Sequence, residues 1–113
     1  MVRVLVTVEP RMYREAIAFA LQRSRPEAEV MLVPEEVLDG QVKDFAPHVL
    51  VRNDSDGAVP EELLGSVVCR MEVLYTDGMA ARVSVSGSSY TIEDAIMEDL
   101  LALVDEAEDL VLG

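Results

Sequence analysis

The sequence predicts an α/β fold: a three-layer sandwich of about five strands, mostly parallel, that ends in an antiparallel hairpin (67–86) and a long helix. The short apolar run that ends at Asn53 (47–53) is typical of a buried parallel strand, because both faces of a parallel sheet are buried. Two alternating runs flank Thr76-Asp77-Gly78, which is a strong hairpin signal. Apolar residues at helical spacing follow the first strand and close the chain, which indicates helices packed on a sheet.

The first half of the chain contains a strand, a helix and a second strand, followed by weaker signals. Residues 3–8 are rich in valine and leucine, which favour a strand. Glu9-Pro10 opens a helix, because proline is tolerated in the first helical turn. The helix is predicted to face the sheet with an apolar stripe of Tyr13, Ala16, Ile17, Ala20 and Leu21. The next predicted elements are a strand at 29–33, a short helix within 37–45, a strand at 48–52 and a helical turn at 60–65.

The hairpin has two possible registers, and only one of them produces an apolar face. A two-residue loop would mix apolar with charged pairs. A three-residue loop, with Gly78 in the left-handed conformation, pairs Tyr75 with Met79 and makes one face wholly apolar. On the other face it sets Glu72 opposite Arg82, a favourable cross-strand pair. The second register is predicted, since a one-residue slip would turn every side chain to the wrong face.

The last predicted element is a helix at 92–110. Thr91 is a credible N-cap because Asp94 follows three residues later, which is close to a capping box. The predicted apolar stripe consists of Ile92, Ile96, Leu100, Leu103 and Ala107, widened by Met97, Leu101 and Val104. The remaining positions are largely acidic, and we interpret them as a solvated face in preference to a docking face for a basic partner.

Composition limits the possible partners and the compartment. The 113 residues (1–113) suit a single domain with its own core. A net charge of -13 repels phosphate backbones and anionic membranes, so we expect no nucleic-acid or membrane partner. No apolar run approaches the length of a membrane span, and residues 2–8 are too short for a signal-peptide core. These features predict a cytoplasmic location.

Cysteine and histidine are too rare for several kinds of site. Cys69 is the only cysteine, which excludes an internal disulfide and a multi-cysteine zinc site. It falls on the inward face of the hairpin, and we expect an inert core residue. His48 is the only histidine, and its place at a strand start favours a structural role over a catalytic one.

Two stretches resemble response-regulator receiver domains. The first is Val2-Arg3-Val4-Leu5-Val6-Thr7-Val8-Glu9-Pro10, followed by Arg14-Glu15-Ala16, which resembles the opening of a receiver. The second is Ala46-Pro47-His48-Val49-Leu50-Val51-Arg52-Asn53, which resembles the third receiver strand. With the last helix, the resemblance covers most of the chain and implies a receiver-like, flavodoxin-like fold. The matching residues are structural and not catalytic.

The resemblance also implies that the phosphorylation site of receivers is lost. The acidic pair that holds Mg²⁺ in working receivers falls on Thr7 and Val8, so only the neighbouring Glu9 is acidic. The phosphorylated aspartate falls on Asn53, whose amide cannot be the nucleophile of an acyl-phosphate. The lysine expected after the last strand is missing. A one-residue shift would place Asp54 in the phosphorylation position without restoring the other groups, which leaves an active receiver as a minor alternative.

The connection between the fourth and fifth strands departs from the receiver pattern. Receivers place a helix there, whereas three residues join the strands of this hairpin. So short a connection forces the last strand to run antiparallel, since a parallel crossover needs about a dozen residues. Without that helix, part of one sheet face is predicted to be uncovered. The residues predicted on this face are Arg70, Glu72, Arg82, Ser84 and Ser86.

These features predict a non-catalytic, receiver-like protein-interaction or regulatory domain without a cofactor. Its partner would be another protein or itself, as a homodimer through the hairpin edge or the uncovered face. The alternative is a domain that binds a small ligand or divalent cation in the strand-end crevice near Glu9, Asn53 and Asp54. Glu9, Asp54 and Asp56 are its weak candidates for metal ligands, because hard cations prefer oxygen. The run 53–57 is also typical of a ligand-free turn, which we favour.

Overall fold

In the computed structural model, the described residues form a mixed six-stranded sheet and two helices. The description covers residues 2–8, 11–34, 45–53, 66–75, 79–86, 88–93 and 97–112. The strands are β1 (Arg3–Val6), β2 (Glu29–Leu32), β3 (Val49–Asn53), β4 (Cys69–Tyr75), β5 (Met79–Val85) and β6 (Ser88–Ile92). The helices are α1 (Arg11–Ser24) and α2 (Met97–Leu112). The strand order in the sheet is β2-β1-β3-β4-β5-β6.

The sheet changes from parallel to antiparallel at β4. The neighbours β1–β2, β1–β3 and β3–β4 are parallel, whereas β4–β5 and β5–β6 are antiparallel. The predicted hairpin register is confirmed: Tyr75 pairs with Met79, and Glu72 pairs with Arg82. Cys69, Met71 and Val73 of β4 are buried on one side of the sheet, so the register does place the apolar residues inside.

Both helices pack on the same side of the sheet, which we call the helix side. The main core lies between them and alternate residues of the strands. Its fully buried members include Val4, Val6, Leu21, Val49, Val51, Cys69, Val83, Leu103, Val104 and Ala107. Arg25, just after α1, binds Asp105 of α2 through two hydrogen bonds, with Nε–Oδ1 and Nη2–Oδ2 both at 2.7 Å. These bonds lower the pKa of the Asp105 carboxyl and raise that of the Arg25 guanidinium.

The opposite side of the sheet, the far side, contains a smaller apolar cluster. Leu5 of β1 and Leu50 of β3 are neighbours in register and are fully buried. The partly buried side chains that pack against them are Met31, Val33, Phe45 and Val67. Towards β4, β5 and β6, the far side becomes largely polar and charged, because most of the alternate residues there are arginine, glutamate, serine and threonine.

The predicted fold class, a receiver-like (flavodoxin-like) three-layer sandwich of about five strands, is wrong. The first five strands follow the flavodoxin-like order 2-1-3-4-5. However, the sheet has a sixth strand, its last two strands run antiparallel, and both helices of the described residues lie on one side. Apart from Phe45, the short helix predicted within 37–45 and the turn predicted at 60–65 lie outside the described residues. The strands predicted at 3–8, 29–33 and 48–52 are observed with ends shifted by one or two residues.

Strand β6 was not predicted, and it changes the end of the chain. Val85 pairs with Ser88, so two residues connect β5 and β6. Ser86 has a φ of 48°, the left-handed conformation that such loops require. Thr91, the predicted N-cap, is therefore a strand residue, and the final helix begins at Met97 instead of residue 92. Ser86 lies in the turn and not on the far side with the strand residues.

The buried stripe of α1 is rotated from the predicted one. Leu21 is buried and Ile17 is partly buried, as predicted, but the other buried residues are Arg14 and Ala18. Tyr13 and Ala16 of the predicted stripe are exposed. Apolar residues occupy most of the circumference of α1, so periodicity alone could not fix which side faces the sheet.

The left-handed Ser86 supplies a test of the β5–β6 turn. Ser86→Gly is expected to raise the free energy of unfolding by about 0.5–1 kcal/mol, because glycine adopts this conformation without steric strain. Ser86→Val is expected to lower it by about 1–2 kcal/mol. Urea unfolding measures both. Ser84→Gly is the matched control, since glycine at this extended position of β5 should destabilise the fold. Equal destabilisation by both glycine variants would contradict the turn.

Candidate functional site

The ends of β1 and β3 meet at one edge of the sheet, where α/β proteins commonly bind ligands. The two strands are parallel neighbours, with Val6 opposite Val51. The backbone N–H of Thr7 donates to the carbonyl of Val51 at 2.9 Å, so the pairing continues past the end of β1. Asn53 is the last residue of β3 and lies opposite Val73 of β4. The structure therefore brings together Thr7, Val8 and Asn53, three of the positions singled out in the sequence.

Thr7 and Val8 are buried and contribute to the structure of the edge. The Thr7 hydroxyl donates to the carbonyl of Val51 at 3.5 Å, and its side chain is fully buried. Val8 belongs to the apolar core on the helix side. A buried hydroxyl bonded to a strand carbonyl and a buried valine do not provide the carboxylates with which receivers hold Mg²⁺.

Asn53 ends a strand whose five residues are all buried, as predicted for a buried parallel strand. It lies on the helix side with Val49 and Val51, because side chains alternate along a strand. Its amide donates and accepts hydrogen bonds but is not a nucleophile. The position thus offers binding chemistry and no acyl-phosphate chemistry.

Arg14, which was not predicted to be a site residue, also reaches this edge. It is buried on α1, and its Nη1 donates to the carbonyl of Val8 at 3.5 Å. The helix thereby fixes the backbone just after β1. A spacing signal was present: Arg14, Ala18 and Leu21 are four and three residues apart, so they share one face of a helix. Residues 7–8, 11–14 and 52–53, which the structure describes at this edge, contain no carboxylate.

A row of alternating charges crosses β3, β4 and β5 on the far side. Arg52 is opposite Glu72, and Glu72 is opposite Arg82 in the strand register. We call these three residues the charge ladder. Arg82 Nη1 lies 4.0 Å from Glu72 Oε1, and the Glu72 side chain is only 13% exposed. A carboxylate between two guanidinium-bearing strands is favourable, because the charges on adjacent strands have opposite sign.

Arg52 is the largest fully buried side chain among the described residues. From the sequence, Arg52 was predicted only to be part of a buried strand at 48–52. Charged side chains are almost never fully buried without partners, so an arginine inside such a strand already indicates a polar network. Which partners it would have could not be deduced, because the order of the strands was needed.

The predicted interface residues Arg70, Glu72, Arg82 and Ser84 do lie together on the far side. Arg70 is opposite Ser84, and Glu72 is opposite Arg82. Only Arg82 of these is exposed, whereas the other three are half-buried. The predicted hairpin edge is different from the observed edge, since β6 pairs with β5 and is the last strand of the sheet.

His48 has a structural role at the start of β3. The backbone N–H of Arg3 donates to Nδ1 of His48 at 3.0 Å, and the Arg3 guanidinium lies 3.2 Å from Nε2. Arg3 Nε also donates to the carbonyl of Ala46 at 3.0 Å. Burial, followed by the charge of Arg3, lowers the pKa of the imidazole. A proton on Nδ1 would remove the bond from the Arg3 backbone, so this contact favours the neutral imidazole.

Cys69 is a buried core residue of β4, as predicted. Burial raises the pKa of its thiol to about 11. The thiolate is the reactive form, so this cysteine is poorly suited to nucleophilic chemistry.

The candidate metal ligands Glu9, Asp54 and Asp56 lie outside the described residues. Within the part of the chain that the structure describes, no three His, Cys, Asp or Glu side chains are grouped so as to hold a metal ion.

Neither described helix is long and apolar enough to cross a membrane. No family model, curated protein or solved structure matches the chain.

The charge ladder is expected to stabilise the sheet. In a double-mutant cycle of Glu72→Gln and Arg82→Gln, the coupling energy from urea unfolding should be about 0.2–1 kcal/mol. It should decrease in molar salt, which screens partly exposed charges. Arg23, exposed on α1, is the control partner, and its cycle with Glu72 should give no coupling. Equal coupling in both cycles would contradict the ladder.

His48 is expected to make stability depend on pH near neutrality. Its pKa in the folded protein is below the ordinary value of 6.5. As the pH falls below about 6.5, the unfolded chain therefore takes up this proton first, and stability decreases until the folded pKa is passed. His48→Asn removes this proton, so its unfolding free energy should decrease less than that of the wild type between about pH 7.5 and 5.5. Parallel profiles for the two proteins would contradict the assignment.

Proposed function

We propose that this chain is a non-catalytic protein-interaction or regulatory domain that is not phosphorylated at Asn53. The described end of β3 supplies an amide, and the described end of β1 supplies a buried hydroxyl and a valine. Arg14 adds a positive charge beside them. These groups can form hydrogen bonds, but they include no nucleophile or general base suited to phosphoryl transfer.

The outer surface of α1 is the observation that carries the interaction proposal. Met12 and Phe19 are 70% and 68% exposed, and Ala16 between them is also exposed. These three residues are four and three positions apart, so they form one stripe that points away from the sheet. Helices that are apolar on both faces usually have a second partner. We call Met12, Ala16 and Phe19 the outer stripe.

Charged residues surround the outer stripe, as is common at the rim of a protein interface. Arg11 forms an ion pair with Glu15 at 2.8 Å, and Arg23 continues the line of the stripe. The neighbouring helix α2 exposes acidic residues on its outer surface, namely Glu98, Asp105, Glu106 and Asp109. A protein partner with an apolar centre and charges of both signs fits this surface. The far-side residues are a weaker docking surface because most of them are half-buried.

The cation-binding alternative depends on Glu9 and Asp54, which lie outside the described residues. No observation on the described residues favours it, so protein interaction is the function that we propose.

Loss of phosphorylation can be tested directly. The wild-type protein is expected to gain no phosphoryl group during incubation with acetyl phosphate and Mg²⁺, as measured by intact mass spectrometry. Asn53→Asp should also remain unmodified, because a single restored carboxylate does not replace the groups lost at Thr7, at Val8 and at the missing lysine. A working receiver serves as the positive control. Phosphorylation of either protein, on Asp54 or on the new aspartate, would contradict this part of the proposal.

The outer stripe should be dispensable for folding. Phe19→Ser is expected to change the free energy of unfolding by no more than about 0.5 kcal/mol, since its side chain is largely exposed. Leu21→Ala on the same helix should lower it by about 2–5 kcal/mol, because that side chain is fully buried. Urea unfolding distinguishes the two outcomes. A large loss of stability in Phe19→Ser would mean that the stripe is part of the core.

Partner binding is tested in cells with a photoreactive phenylalanine analogue at position 19. We expect a discrete covalent adduct with another protein after irradiation. The matched control has the analogue at the exposed Ala102 on α2 and should give no such adduct. Adducts of the same mass and yield at both positions, or none at either position, would contradict an interaction through the outer stripe.

A further inference from the structure

The two edges of the sheet are protected very differently. Edge strand β2 contains Glu29 and lies between Pro26 and Pro34, and charge and proline are common means of preventing strand addition. Edge strand β6, Ser88–Ile92, contains no charged residue and no proline. Its first four residues are exposed. Strand β6 is therefore open to pairing with another strand.

The backbone of β6 has a regular set of outward hydrogen-bonding groups. A two-residue loop makes Ser88 part of a hydrogen-bonded pair with the last residue of β5, and such pairs alternate along an antiparallel ladder. Tyr90 and Ile92 therefore also direct their N–H and C=O groups towards β5. Ser89 and Thr91 direct theirs away from the sheet.

We propose that β6 pairs antiparallel with β6 of a second copy of this chain, with the two-fold axis at Tyr90. This inference rests on the proposed interaction function and specifies a second copy of the chain as the partner at the β6 edge. In this register Ser89 lies opposite Thr91 of the other copy. The outward N–H groups of each strand therefore face the outward C=O groups of the other strand. Tyr90 lies opposite itself on the helix side, where it is 51% exposed. Aromatic pairs and serine–threonine pairs at such positions are favourable.

Charge favours this edge for contact between two copies. A net charge of -13 makes most of the surface repel a second copy. The β6 strand is uncharged, and the first acidic residue after it, Glu93, lies beyond the paired residues 88–92 of the proposed register. A pair of five-residue strands buries less area than a standard interface, so the dimer should dissociate on dilution. Added salt should strengthen the dimer by screening the net charge.

A disulfide trap tests the register. Residues paired through Tyr90 would have Cα atoms about 4.5 Å apart, within the range for a disulfide. Tyr90→Cys is therefore expected to form a covalent dimer with oxidised glutathione, measured by non-reducing electrophoresis. Ser89→Cys is the matched control, since its two copies would be about 8 Å apart and should not cross-link. The native Cys69 is buried and should not react.

Sedimentation of the full chain provides a second test without cysteine substitutions. The wild type should show a dimer that increases with concentration, up to about 500 µM. Thr91→Pro removes an outward N–H and should weaken dimerisation at least about tenfold. Thr91→Val keeps this N–H and should dimerise like the wild type.

A monomeric wild type at every concentration, or equal cross-linking of the two cysteine variants, would overturn the self-pairing. If the position-19 adduct still forms, the interaction function stands and only the choice of partner is wrong. If the β6 dimer forms and the position-19 adduct does not, the proposal that the outer stripe binds a protein partner is wrong.

Discussion

The three-residue connection between β4 and β5 is the constraint on which the rest of the structure depends. It is too short for a crossover, so β5 must run antiparallel to β4. The register then follows from burial, since this pairing sets Ala81 and Val83 of β5 beside the core residues of β4 on the helix side and Arg82 beside Glu72 on the far side. Because β5 reverses the chain direction and Ser86 reverses it again, β6 becomes the edge of the sheet, and α2 returns to the helix side.

The parts of this fold that could be predicted are those in which local and long-range signals agree. The hairpin register was one of them, because a slip would have buried charges. Strand β6 was missed because two local signals compete there: Thr91 with Asp94 resembles a helix cap, whereas Ser86-Gly87 followed by Tyr90 and Ile92 favours a turn and a strand. Pairing with β5 decides the outcome, and periodicity contains no information on that pairing. Arg14 and Arg52 were missed for a related reason, since burial of a cation requires partners that only the strand order brings close.

The surfaces of the described residues differ in a way that supports interaction as the function. The far side carries a charge ladder that joins three strands internally. The helix side exposes large apolar residues, including Met12, Phe19 and Tyr90. The strand-end crevice, where α/β proteins usually place their chemistry, is lined at its described positions by buried groups that stabilise the fold. Exposed apolar surface is thus the distinctive property of the described residues.

Hydrogen exchange of the β6 amides tests pairing between two copies most directly, because that pairing requires the N–H groups of Ser89 and Thr91 to face outward. In dilute solution, the amides of Ser88, Tyr90 and Ile92 should be protected by β5, while those of Ser89 and Thr91 should exchange rapidly. At high concentration, Ser89 and Thr91 should become protected as well. Rapid exchange at Ser89 and Thr91 at every concentration would contradict pairing between copies, and uniform rapid exchange along 88–92 would contradict the strand itself.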